Sequence, residues 1–397
     1  MTKSLLSLLL TTIMATTAMG ASIDDIISAH LKDRGEAEHF SGIAVSVQAG
    51  DKLTNYVAGK RSMTGNEPLT SADLFDIGSI TKSFTAALAI MAEREGRLKL
   101  DETLRHYLPE YPVWGDISLT GLLDMSTGIP NYSESPTMNY LFSKDLRHYW
   151  SQVDMINLIY PKKRNPRRKP GYFYSNTGYV LMDMMLSARY KMPFKQLLED
   201  KIIKATGLKN TYYPLPDYTS QQLHGMARGY AWNIYDNPEL LGQDVTEMNL
   251  SWAGAAGGII ATSEDVLHWV EDLFVSERLL TKAEKNKMQQ MISLDSGKPI
   301  TSTDKENHRG FGLGIAQIYD EKIGRFWFYE GQTLGYRALY MYVPCNKVIV
   351  VALFNSATNG ENDKAGKLLQ DIYQETLLEN SALRCQAQGG SFDQRQQ

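Results

Sequence analysis

Strand-like apolar stretches stand at the two ends of this 397-residue chain, and no clear strand alternation is visible between them. Residues 42–59, GIAVSVQAGDKLTNYVAG, read as two strands folded around Ala49-Gly50-Asp51. Near the other end RFWFY, YRALYMYV and KVIVVALF read as further strands, followed by a helix-like KAGKLLQDIYQETLL. From about Asp101 to Pro238 the pattern is helical instead, in segments such as GYVLMDMMLSARY and FKQLLEDKIIKATG separated by loops bearing Pro and Gly. Such a chain is expected to begin and end in one sheet, with a mostly helical part inserted between.

Hydrophobic residues make up 43% of the chain, charged residues 22%, and the formal net charge is −4, the balance of an ordinary globular protein. That balance argues against a nucleic-acid partner. The first residues, MTKSLLSLLLTTIMATTAMG, carry one cation, an apolar run and small residues at Ala18 and Gly20, the pattern of a signal peptide spanning 1–20. A periplasmic or secreted location is therefore expected, and no later stretch is apolar enough to span a membrane. The end, CQAQGGSFDQRQQ, has almost no apolar content, and 386–397 reads as a mobile tail.

Cys345 and Cys385 are the two cysteines, and in an oxidising compartment they can pair, closing a loop of forty residues, or stand as free thiols. No C-x-x-C pair, H-E-x-x-H helix or Asp-rich calcium loop occurs. Neither a metal nor an organic cofactor is expected.

Chemistry concentrates in DIGSITKSFTAALAIM, Asp76 to Met91, where Ser79 and Lys82 lie three apart at the start of an apolar helical pattern ending near Gly96. Residues at that spacing share a helical face, so Lys82 can reach the Ser79 hydroxyl. Serine becomes a strong nucleophile only when a base takes its proton, and lysine serves as that base only when burial or a nearby charge makes it neutral. Ser302 and Lys305 repeat the spacing, but in a polar stretch without helical pattern.

The segment LFDIGSITKSFTA resembles the active-site helix of the serine β-lactamase-related family, the group of class C β-lactamases, D-alanyl-D-alanine carboxypeptidases and related esterases. EGRLKLDETLRHYLPEYP, ISLTGLLDMSTGIPNY, KPGYFYSNTGYVLM, AGAAGGIIATSEDV and GQTLGYRALYMYVP follow in the family's order, from about Gly42 to Ser356. The resemblance implies an α/β (α+β) fold of the β-lactamase/transpeptidase type, an antiparallel sheet flanked by helices with an inserted helical lobe. It places the domain at 21–385, with a sheet lobe of about 21–78 and 250–385 and a helical lobe of about 79–249.

It further implies that Ser79 is the acylated nucleophile, that Lys82 and Tyr174 shuttle its proton, and that Asn176 hydrogen-bonds the lysine and the substrate amide. Tyr235-Asp236-Asn237 also fits Tyr-x-Asn but lacks the flanking turn and helix, and reads as a surface loop. The third motif departs from the family: Tyr329, Glu330 and Gly331 stand where Lys-Thr-Gly or His-x-Gly is usual. The cation that would grip a substrate carboxylate is missing. Gly331 still leaves room beside the strand, Gln332 matches the second backbone oxyanion donor, and Glu330 should face solvent.

Two replacements for the missing cation suggest themselves, Arg337 and the cationic loop Lys162–Lys169. Met125 replaces a usual histidine of structural character, and Gly257-Gly258 resembles the family's close-packed turn. The implied activity is acyl transfer through Ser79 on a small peptide, ester or β-lactam, foremost as a D-alanyl-D-alanine carboxypeptidase-like peptidase, otherwise as an esterase or weak β-lactamase. A non-catalytic penicillin-binding or sensory protein is the reading from a different class.

Overall fold

The computed structural model describes residues 21–161, 171–233, 238–358 and 363–385. The leader-like residues 1–20, the cationic stretch Lys162–Lys169, Tyr235-Asp236-Asn237 and the tail 386–397 lie outside them.

Helix α1 (Ile23–Arg34) starts on a capping box in which Ser22 and Asp25 satisfy each other's backbone N–H groups. The hairpin of β1 (Gly42–Ala49) and β2 (Lys52–Gly59) follows, turning at Gly50 with φ +62°. Then come β3 (Phe75–Asp76), α2 (Thr81–Arg94), α3 (Thr177–Tyr190), β4 (Thr211–Tyr212), β5 (Ile260–Ala261) and α4 (Ser263–Phe274). The segment FKQLLEDKIIKATG is helical as expected, but carries a π turn at Glu199–Ile203. Strand β4, lying in the stretch that reads as helical, has two residues, too few to show an alternation.

Short strands β6 (Met291–Ser293), β7 (Pro299–Ile300), β8 (Arg309–Phe311) and β9 (Ala316–Asp320) lead to β10 (Gly324–Gln332), β11 (Arg337–Val343), β12 (Val348–Phe354) and helix α5 (Ala365–Glu379). The described strands of the large sheet run in the order β2-β1-β12-β11-β10-β9-β8-β6-β7, with antiparallel pairing. Strand β1 pairs with β12 from Ile43↔Phe354 to Gln48↔Ile349, so the two ends of the chain do share one sheet.

Both faces of β12 are covered. Val348, Val350, Ala352 and Phe354 pack with residues of α1 and α5, whereas Val351 and Leu353 join the core on the opposite face, where α4 lies. That is why KVIVVALF is an unbroken apolar run, each buried side chain contributing roughly 1.5–3 kcal/mol. Cys345, in the turn between β11 and β12, forms a disulfide with Cys385 beyond α5, their Cα atoms 5.8 Å apart. Among the described residues no helix is long and apolar enough to cross a membrane.

A second small sheet, β3-β5-β4, positions the chemistry. It pairs Phe75 with Ala261 and Asp76 with Ile260, and the Ile77 N–H continues to Ile259 O at 3.0 Å. The chain just ahead of Ser79 is thereby pinned to β5.

Candidate active site

Ser79 lies in a 3-10 turn, Gly78–Ile80, that runs directly into α2. Lys82, one turn on, is fully buried, and its Nζ stands 2.8 Å from Ser79 Oγ and 2.8 Å from the carbonyl oxygen of Ala256. Burial pushes its ammonium well below the usual lysine range. The condition set by the sequence for lysine to act as a base, removal from water, is met. The second Ser-x-x-Lys is unlike it: Lys305 is exposed and pairs with Glu321 at 3.8 Å.

Tyr174 comes from the loop before α3, held by the Phe173 N–H donating to Met125 O at 2.8 Å. Its hydroxyl is 2.6 Å from Ser79 Oγ, and its ring centroid 5.0 Å from Lys82 Nζ. Burial pushes the phenol up to about 12, while hydrogen bonding to Ser79 and the nearby Tyr329 hydroxyl pull it down and the Glu134 carboxylate raises it. Since 36% of Tyr174 reaches solvent, water at the cleft mouth limits that rise. Ser79, Lys82 and Tyr174 are thus brought together by hydrogen-bonding distances, from segments 95 residues apart.

Asn176 departs from its implied contacts. Its backbone N–H donates to Asn131 Oδ1 at 3.1 Å and its Nδ2 to Ser133 Oγ at 2.9 Å. The hydrogen bonds of Lys82 go to Ser79 and Ala256 instead. Asn176 Oδ1 is left buried without a partner.

Tyr329 is buried on β10, edge-on to Phe311 with ring centroids 5.5 Å apart. Its hydroxyl lies near Tyr174 without completing a hydrogen bond of normal geometry. Among the described residues the groups whose charge acts on it are the tyrosines Tyr174, Tyr172, Tyr179 and Tyr340. Glu330 does alternate to the opposite face, where it is partly exposed and 3.8 Å from Arg337.

Backbone contacts bind the end of β10 to the serine turn. Gly78 has φ +48°, and a Cβ added there would lie 2.3 Å from the Gln332 nitrogen. A Cβ on Gly331 would lie 1.9 Å from Ile77 O and 2.8 Å from the Ser79 nitrogen. The two nitrogens matched to oxyanion donors, those of Ser79 and Gln332, therefore flank one glycine-lined junction. Gly257 and Gly258 are close-packed behind it, Gly258 against Gly254.

Arg337 does not offer its charge to a substrate, contrary to the expectation above. It is 1% exposed and lies on the sheet face opposite Tyr329, beside Leu339 and Phe354. Its guanidinium donates to Thr358 O and pairs with Asp363 at 2.6 Å, Glu38 at 3.5 Å and Glu330 at 3.8 Å. Removing it leaves Glu38 its pair with Arg34 at 2.7 Å but takes the guanidinium from the part-exposed Glu330 and Asp363 and from Thr358 O, so Arg337→Met should cost about 1–3 kcal/mol in urea unfolding. The Michaelis constant for an anionic substrate should stay unchanged in the same variant; a raised constant with intact stability would restore the binding role.

The residue reading passed over Glu134, Ser133, Asp76 and Thr333, all close to the site or tied to it. Asp76 alone left a signal, an acid within the otherwise apolar LFDIGS.

The family model Beta-lactamase matches residues 27–374. A penicillin-binding protein of Bacillus subtilis (strain 168) is 24% identical over 83% of this chain and 71% of its own length. A Beta-lactamase of Providencia stuartii is 28% identical over 67% of this chain and 63% of that protein. Among solved structures, the D-amino acid amidase of Ochrobactrum anthropi SV3, complexed with D-phenylalanine, superposes with a TM-score of 0.73 at 21% identity. That likeness covers 90% of this chain and 98% of the amidase, and is a likeness of fold.

Proposed function

We propose, since the chain belongs to the Beta-lactamase family and has a β-lactamase/transpeptidase-like fold, that it is a serine hydrolase forming an acyl-enzyme on Ser79. The observation that carries this reading is a half-buried serine oxygen within 2.8 Å of a fully buried lysine and 2.6 Å of a tyrosine hydroxyl. Neutral Lys82 takes the serine proton, directly or through Tyr174, as Ser79 Oγ attacks the carbonyl carbon. The oxyanion is held by the N–H groups of Ser79 and Gln332. When the tetrahedral adduct collapses, Tyr174 returns a proton to the leaving nitrogen or oxygen, and water then hydrolyses the ester to Ser79.

The substrate class proposed is a short peptide or amino-acid amide whose leaving group is uncharged. A carboxypeptidase needs a cation for the terminal carboxylate; among the described residues Tyr329 stands where that cation is expected and Arg337 is engaged on the far face, while Lys162–Lys169 lies outside them. The exposed Glu134 carboxylate, close enough to act on Tyr174, suits a substrate bearing an ammonium group. A solved neighbour described as a D-amino acid amidase points the same way. Export, resting on the leader-like residues 1–20, belongs to the same proposal.

The test is intact-mass and turnover measurement with a D-amino-acid amide, a peptide ending in D-alanine, an activated ester and a fluorescent penicillin, for wild type and Ser79→Ala. Turnover of the amide with a Ser79-dependent adduct is the expected result. Preference for the free-carboxylate peptide would return the assignment to a carboxypeptidase. Absence of any Ser79-dependent adduct or turnover across the panel would leave a non-catalytic binding protein.

A further inference from the structure

Asp76 is fully buried three residues before Ser79, and among the described residues the groups acting on it include no cation. Its Oδ2 accepts a hydrogen bond from Thr333 Oγ1 at 2.8 Å, and Tyr218 OH reaches Oδ1 at 3.5 Å. Burial pushes the carboxyl up to about 7, with those two hydrogen bonds opposing the rise. A buried acid of this kind is destabilising compared with an apolar residue of the same size.

Its placement gives it a use. Asp76 precedes the turn that carries the Ser79 nitrogen, and Thr333 directly follows Gln332, 257 positions along the chain. Each end of the bond is itself anchored: the Asp76 backbone pairs with Ile260, and the Thr333 N–H donates to Tyr336 O at 3.1 Å. The glycine contacts described above set how closely β10 approaches the serine turn. Contact between two flat backbone surfaces resists compression but offers little resistance to sliding along the strand. A directional hydrogen bond across the junction resists sliding.

We propose that Asp76 and Thr333 form a brace that fixes the register of β10 against the serine turn and so holds the two oxyanion donors at one spacing. Both are then positioning residues, and the inference rests on the acyl-transfer reading of the site. Oxyanion stabilisation depends on donors lying within a few tenths of an ångström of their working places, so the brace acts on the rate of acylation and not on substrate binding.

The variants Thr333→Val and Asp76→Leu remove the bond, whereas Thr333→Ser and Asp76→Asn keep a hydroxyl donor and an oxygen acceptor. The measurements are kcat and KM on an activated ester, inhibition by a boronic acid that forms a tetrahedral adduct, and Tm. Bond-removing variants should lose about 10–100-fold in kcat and bind the boronate more weakly by a similar factor, with KM within about threefold. The conservative variants should keep wild-type kcat within about threefold. Undiminished kcat in Thr333→Val, or an equal loss in Thr333→Ser, overturns the brace; if Thr333→Val does not fold, Asp76→Leu against Asp76→Asn decides it. A wild-type protein that forms no Ser79 adduct sinks the acyl-transfer reading and the brace with it, whereas a normal wild type beside unimpaired variants sinks the brace alone.

Discussion

Lys82→Met should abolish acylation of Ser79, by at least about 10²–10⁴-fold, while raising the stability of the folded protein relative to wild type near neutral pH. The first effect follows from loss of the base beside Ser79 Oγ. The second follows from linkage. Burial lowers the folded-state pKa of Lys82 below its ordinary value of 10.5, so between those two values the unfolded chain binds a proton that the folded chain does not. Wild-type stability therefore rises with pH across that window, and methionine, having no proton to lose, removes the dependence.

The gap in Tm between variant and wild type should accordingly narrow as the pH approaches 10.5. Ala256 O loses its lysine partner in the variant, but that cost is the same at every pH and cannot mimic the trend. A Tm difference independent of pH would mean that Lys82 is charged in the folded protein and is not the base. In wild type, acylation should fall on the acid side as Lys82 becomes protonated.

Gly331→Ala should reduce kcat/KM about 10²–10³-fold, the loss typical of removing one oxyanion donor, and destabilise the fold by about 1–3 kcal/mol. The added methyl would sit 1.9 Å from Ile77 O and 2.8 Å from the Ser79 nitrogen, both backbone atoms that no side-chain rotation can clear. Strand β10 must move off the serine turn, carrying Gln332 with it. Gly366→Ala is the control, because near the start of α5 the nearest atom is Phe328 Cζ at 3.9 Å. There alanine should be neutral or stabilise slightly. Equal activity in both variants would show that the junction at Gly331 yields without consequence.

Local pattern carried much of this molecule. The hairpin at Gly50, the apolar helix behind Ser79 and the strands at the two chain ends all rest on periodicity or turn chemistry confined to a few residues. Strands β6 to β9 escaped because runs of two to five residues show too few alternations to count. Arg337 was misplaced for another reason. Alternation says that residues 337 and 339 share a face, yet which face looks into the cleft depends on register against β10 and on the helices packed behind. The partnership of Asp76 with Thr333 was equally hidden, since nothing near either residue in the chain names the other. Asn176 shows the limit of carry-over by motif: the residue is in place, but its NH2 donates to Ser133 and its oxygen meets no donor.

The place of β12 between β1 and β11 also bears on how the protein reaches its native state. Ile43 meets Phe354 across more than three hundred residues of intervening chain, so pairing the N-terminal hairpin with its long-range partner closes a loop of most of the chain. Contacts of that separation make folding slow, and until β12 arrives the edges of β1 and β11 are bare. Those two bare edges are the surfaces by which an incompletely folded chain would pair with another copy of itself.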